Sequence, residues 1–187
     1  MSLKLAISDT CFIIDWSYYR KREVLIELFQ TILLPEQVLE EVEDEKVISW
    51  ISKNLASGKM LLFTPSPLDL RRAEELMLEV ATRPHMKRIE MPEALCLVIG
   101  SRLNAIILTE NRGALLVPKV MKKWRRVKVW RALETIKEAI KRGYIKVFSE
   151  EDVRKTFREY EEDTGHIFPR RDLIRAINEV LSCLRMS

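Results

Sequence analysis

Asp9, Glu41, Glu93, Glu110 and the amide Asn111 are spread over the first two thirds of the chain, and their types suit one kind of chemistry if they meet. Carboxylates within a few ångströms of one another repel, raise each other's pKa, and are tolerated mainly where a divalent cation neutralises them. An oxygen-only set without Cys or His selects Mg²⁺ or Mn²⁺ over zinc, and such ions serve phosphoryl transfer by activating water and clamping phosphate oxygens. Each residue alone has an ordinary explanation. Asp9 could simply cap a helix; Glu40 and Glu41 could be solvated helix charges beside Glu43, Asp44 and Glu45. Glu93 would be favoured by a helix dipole, and Glu110-Asn111 would make a polar turn.

The elements around these residues decide whether they can converge. Leu3 to Ser8 alternates apolar and polar residues and reads as a strand, with Asp9-Thr10 opening a helix through Cys11 to Ile14. Glu23 to Phe29 reads as a helix, Thr31 to Leu34 as a buried strand, and Pro35 as the start of one long helix ending at Gly58. The strand Lys59 to Phe63, a helix from Leu70 to Val80, a helix from Pro92 to Arg102 and the strand Ala105 to Leu108 follow. After a short strand, Val127 to Val129, the pattern turns wholly helical, with stops at Gly143 and a capping signal at Ser149 to Asp152. Alternation of this kind predicts an α/β fold: a three-layer α/β/α sandwich with a central parallel sheet, plus a C-terminal helical extension. Asp9 and Glu110-Asn111 would then follow strands at the sheet's carboxyl edge, where ligands bind in open α/β sheets. A core over residues 1–131 and an extension over 132–187 are expected.

Composition removes several alternatives. With 187 residues, 47% hydrophobic and 32% charged, and only five Gly and seven Pro, the chain is long enough to bury a core and unlike a disordered one. No apolar stretch is long enough to span a bilayer and the opening residues do not resemble a secretory signal, so a cytoplasmic, non-membrane protein is expected. The three cysteines form no zinc spacing and read as buried thiols, and the two histidines sit in loops, which argues against histidine-based catalysis. Dense mixed charge with few Gln and Asn resembles thermophile composition. The net charge of +4 is uninformative, but its distribution is not.

The stretches SDTCFIID at Ser8 to Asp15, LPEQVLEEV at Leu34 to Val42 and PEALCLVIGSRLNAIILTENRGA at Pro92 to Ala114 resemble the PIN-domain nuclease family. The tail is similar to a PIN-like subfamily that carries a small helical lobe. The resemblance implies Asp9 as first carboxylate ligand, Glu41 as second with Glu40 as register alternative, Glu93 as a further acid, and Thr109-Glu110-Asn111 in place of a Thr-x-Asp or Thr-Asp-Asp pattern. Asn111 departs from the family's acid, and Glu110 could substitute for it with a longer reach. Thr10 and Thr109 could orient ligands or water. The resemblance further implies a Mg- or Mn-dependent endoribonuclease acting on RNA, the toxin of a toxin–antitoxin pair of the VapC kind, a small antitoxin partner and a homodimer. A degenerate PIN fold that binds RNA or protein without catalysis is the competing expectation. A sheet protein acting on nucleotides or phosphate esters is a third, without a Gly-rich phosphate loop to support it.

From Asn111 to Leu133 there is no acid, whereas Arg112, Lys119, Lys122, Lys123, Arg125, Arg126, Lys128 and Arg131 accumulate beside Trp124 and Trp130. Cations interleaved with aromatic rings are how single-stranded RNA is held, although a solvated helix with core tryptophans would read the same way. Arg83, His85, Lys87 and Arg88 form a second basic cluster just before Glu93, where a loop could border the active edge.

Overall fold

The computed structural model describes residues 3–185; residues 1–2 and 186–187, at the outer limits of the two expected segments, lie outside the described residues. Strands β1 (Leu3–Ser8), β2 (Phe29–Pro35), β3 (Met60–Phe63), β4 (Ile106–Leu108) and β5 (Lys128–Trp130) form one all-parallel sheet ordered β3-β2-β1-β4-β5. Helices α1 (Thr10–Tyr18), α2 (Glu23–Leu28), α3 (Glu36–Glu40) and α4 (Glu45–Ala56) connect the first three strands. Helices α5 (Pro67–Ala81) and α6 (Met91–Leu103) carry the chain from β3 to β4, and α7 (Arg112–Val120) from β4 to β5. Helices α8 (Ala132–Lys141), α9 (Glu150–Thr164) and α10 (Arg170–Arg185) follow. The expected three-layer α/β/α architecture with C-terminal helices is therefore what the chain adopts.

The two faces of the sheet are separated by the strand period of two residues. Ala6, Ile32, Leu34, Ile106 and Leu108 join a core with α1, α2, α4 and the C-terminal helices. Ile7, Leu33 and Ile107 point the other way, into a core built with α5, α6 and α7. Helix α6 is buried from Pro92 through Gly100 because its sequence is apolar all round. At its end it approaches the sheet so closely that a Cβ on Gly100 would lie 2.5 Å from Ile107 Cγ1.

The C-terminal helices share the first core. Trp16 of α1 and Tyr19, which caps its end, pack against Tyr160 of α9 at ring separations of 5.7 and 5.2 Å. Arg20 is held on Asp163 by a bond of 2.7 Å from its guanidinium to Oδ1, and the Arg20 backbone N–H donates to Oδ2 of the same carboxylate.

Three expectations need correction. The long helix from Pro35 to Gly58 is broken into α3 and α4, because Asp44 takes an extended backbone and accepts from the N–H groups of Lys46 and Val47, capping a new helix. The acidic run before it disfavours continuous helix through like-charge repulsion. The cysteines are not uniformly buried: Cys96 is, whereas Cys11 and Cys183 are exposed because their helical positions face outward. Of the two tryptophans read beside the cations, Trp124 is buried against α5 and α6, and Trp130 is half-buried, packing on Phe29 at 6.0 Å. Among the described residues no helix is long and apolar enough to cross a membrane.

Gly100→Ala is expected to destabilise the protein by about 1–3 kcal/mol through overpacking against Ile107. A lower urea midpoint with unchanged slope would register it, and an unchanged midpoint would mean that the helix–sheet packing yields freely.

Candidate functional site

The strand order places a topological switch between β1 and β4, since β1 feeds helices on one face and β4 feeds α7 on the other. The crevice at such a point opens at the carboxyl edge. Asp9 stands there. Its N–H continues the ladder to Leu108 O at 3.1 Å, and its Oδ1 caps α1 by accepting from Phe12 N–H at 2.9 Å. Its side chain is fully removed from water, and Oδ2 has no hydrogen-bond partner. Burial pushes the Asp9 pKa up to about 7; Thr109 and the Phe12 N–H draw it down in part, while Glu93 and Asp15 raise it further. The Thr109 side chain is close enough to the Asp9 carboxylate to favour its charged form by hydrogen bonding, although Oδ2 has no partner of full hydrogen-bond geometry.

Glu93, in the first turn of α6, faces this carboxylate from the opposite layer. Its Oε2 accepts from Glu90 N–H at 2.9 Å, closing a capping box, and its Oε1 accepts from the Asn111 side-chain amide at 3.1 Å. Asn111 in turn caps α7, its Oδ1 accepting from Gly113 and Ala114 N–H at 2.8 and 3.1 Å. Thr109 Oγ1 accepts from Asn111 N–H, and the buried Thr10 hydroxyl has no partner. Glu41 is exposed at the end of α3. It belongs to the same neighbourhood, because the Cys11 thiol, at the second position of α1, feels Asp9, Glu93, Asp15 and Glu41 together. Partial burial and those four carboxylates push that thiol up to about 11.

Glu110 is placed differently. Its Oε1 accepts from Ala132 N–H at 2.6 Å, at the start of α8, and its Oε2 lies 3.3 Å from His166 Nε2. His166, on the loop between α9 and α10, also lies 3.7 Å from Asp15 through Nδ1. Burial raises the Glu110 pKa to about 8. Asp15 and His166 thus form a group with Glu110 that no sequence motif marks; no spacing ties a residue at 166 to one at 110 before the chain is folded. Among the described residues, no group of three or more His, Cys, Asp or Glu side chains is disposed to hold a metal ion. Asp9 and Glu93 are near enough for the Glu93 charge to raise the Asp9 pKa.

The basic residues divide by edge. Gly113 sits so close to the carbonyls of Lys87 and Arg88 that a Cβ there would lie 2.5 and 2.7 Å from them, which brings Arg88 and Arg112 to the rim near Glu93. Lys122, Lys123, Arg125 and Arg126 come after α7 has returned and before β5 begins, and so occupy the amino edge, opposite Asp9. Lys119, at the end of α7, lies along the β5 flank.

This arrangement defines an open α/β protein with a buried carboxylate at its switch point and a basic rim. No family model and no curated protein matches the chain. Among solved structures it is similar to a chain of VapBC2 from Rickettsia felis bound to a DNA fragment from their promoter, at 16% identity and a TM-score of 0.45, over 68% of this chain and 98% of that one. A likeness of that size carries no argument about activity.

Asp9 is an acid whose folded pKa, about 7, lies above its ordinary value of 3.8. The native state therefore retains a proton that the unfolded chain releases, and the stability present below the lower value is lost as pH rises to the upper one. Asp9→Asn keeps a cap acceptor but cannot ionise. It is expected to exceed the parent in stability by roughly 1–4 kcal/mol at about pH 8, the gap closing towards about pH 4. Urea midpoints in chelator at both ends measure this, and a gap that ignores pH would assign the titration to another group.

Proposed function

We propose that the chain is a metal-dependent phosphodiesterase acting on RNA, of the PIN-domain kind that its sequence resembles. The observation that carries this reading is the fully buried Asp9 carboxylate with Oδ2 unpartnered beside Glu93. An orphaned carboxylate oxygen in that setting suits a hard cation, and Mg²⁺ is commonly bound through one or two carboxylates plus substrate phosphates. Asp9 and Glu93 would hold the ion, with Glu41 contributing charge from the rim; Glu110 is committed to α8 and His166. When bound, Mg²⁺ or Mn²⁺ supplies polarisation of the phosphate and activation of water. The chain's own residues do the rest. Asn111 holds the Glu93 carboxylate in place, Arg88 and Arg112 draw the phosphodiester to the rim, and the free Thr10 hydroxyl can orient water. A small antitoxin covering the acidic edge and a homodimer belong to the same reading.

Purified protein with single-stranded RNA and Mn²⁺ tests it: Asp9→Asn is expected to lose activity by about a hundredfold or more, as loss of a metal-clamping carboxylate would require. Equal cleavage by both proteins would sink the proposal. Mn²⁺ affinity should fall about tenfold or more in Glu93→Gln and remain unchanged in Glu110→Gln, where a neutral amide in place of an acid whose pKa burial raises should not lower stability near neutral pH. Alkylation of Cys11 gives an independent readout. A cation that neutralises the surrounding carboxylates lowers the thiol pKa and should speed its reaction with iodoacetamide.

A second reading is favoured by one observation: the Asn111 amide already gives Glu93 Oε1 a hydrogen-bond donor, part of what a cation would otherwise supply. On that reading the fold binds RNA without cutting it. Calorimetric titration separates the two, since a binding module would take up no Mn²⁺ saturably yet retain salt-sensitive RNA affinity.

A further inference from the structure

Most cations between Asn111 and Leu133 have no carboxylate partner; Arg131, held by Glu134 and Asp172, is the exception. Elsewhere Arg20, Arg83, Arg102 and Arg154 are each held by a carboxylate. The side chains of Arg112, Lys119, Lys122, Arg125, Arg126 and Lys128 are exposed, and among the described residues none of these side chains makes a hydrogen bond or an ion pair. They are also arranged along a line. α7 leaves the carboxyl edge at Arg112, runs nine residues, or about 13 Å, to the amino edge, and β5 returns beside it from Lys128. Between them lies a groove of about 300 Å³ whose walls include Leu115, Pro118 and Trp130, with Lys119 and Lys128 along it and the Glu134 carboxylate, neutralised by Arg131, at its side.

We propose that this groove is a track for single-stranded RNA, carrying the strand from the carboxyl edge at Arg112 across the flank of the sheet to Arg125 and Arg126 at the opposite edge. It rests on the nuclease reading above only in taking this strand to be the substrate. Unpaired cations spaced along an apolar wall match a chain that repeats a phosphate and offers sugar and base faces between phosphates. An acidic protein, whose charges are not repeated at a fixed interval, would gain less from that spacing. The substrate is therefore an RNA long enough to extend several nucleotides beyond the scissile bond, and the amino-edge cations act as an exosite.

The test is fluorescence anisotropy with a labelled single-stranded RNA of about 12 nucleotides in chelator, where no hydrolysis occurs, at several salt concentrations. Lys119→Ala/Lys128→Ala is expected to weaken binding about tenfold or more, with the slope of log affinity against log salt shallower by roughly 0.7 for each phosphate that is no longer neutralised. Lys46→Ala/Lys53→Ala, on the exposed side of α4 in the other layer, should stay within about twofold, as a remote surface charge pair should. Equal loss in both variants, no loss in the first, or equal affinity for an RNA duplex of the same length would overturn the track. Track-dependent binding without any Mn²⁺-dependent cleavage would remove the nuclease and leave the track. Cleavage of an RNA whose affinity ignores Lys119 and Lys128 would do the reverse.

Discussion

A carboxylate taken wholly out of water with one oxygen unbonded is among the more costly features a small protein can carry, and this fold is organised around one. Asp9 cannot move away, because its backbone closes the ladder between β1 and β4 and its Oδ1 caps α1. The same constraint that starts the helix leaves the second oxygen buried and without a partner. The neighbouring Glu93 is also fixed by a capping duty, at the start of α6. Two helix N-termini on opposite layers thus hold two acids against their mutual repulsion, and each acid gains from the positive end of the helix it caps. The cost shows as a raised pKa at Asp9, and a divalent cation is the ordinary means of relieving it.

Asn111 and Glu110 divide the work that one motif would be expected to perform. The amide at 111 can both accept from the α7 N–H groups and donate to Glu93, whereas an aspartate could only accept. The adjacent glutamate turns to the other face of the sheet, as successive residues at a strand end do, and meets the C-terminal helices. There it joins Asp15 and His166 above the unbonded hydroxyl of Tyr160, and the extension becomes continuous with the rim of the site rather than an appendage. Aromatic packing of Tyr160 on Trp16 and Tyr19 holds α9 against α1, and so steadies the helix whose first turn carries Asp9 and Cys11.

Charge is distributed to match. The acids gather where the strands end, and the unpaired cations begin there and run back along α7 and β5. On the proposed reading a positive flank leading to the acids would draw a polyanion along the surface. Arg102, by contrast, is closed locally on the buried Asp69.

Hydrophobic period and capping chemistry are local properties of the chain, so residue order alone accounts for the strand–helix alternation, the parallel sheet, the helix openings at Asp9-Thr10 and around Pro92, and the positions of Asp9 and Glu93 at them. The basic stretch is equally legible in one dimension. Three features depend instead on distant parts of the chain coming together. The break between α3 and α4 depends on Asp44 being bonded by Tyr18 from another helix as well as by its own backbone neighbours. The turning of Glu110 towards His166 depends on where α8 and the loop after α9 come to rest. The separation of Arg88 and Arg112 from Lys122 to Arg126 follows from α7 crossing the full height of the sheet. Along the chain those cations are neighbours; a rigid helix carries some of them to the far edge, and no pattern of residue types records which edge a helix end will occupy until the strands on both sides of it have paired.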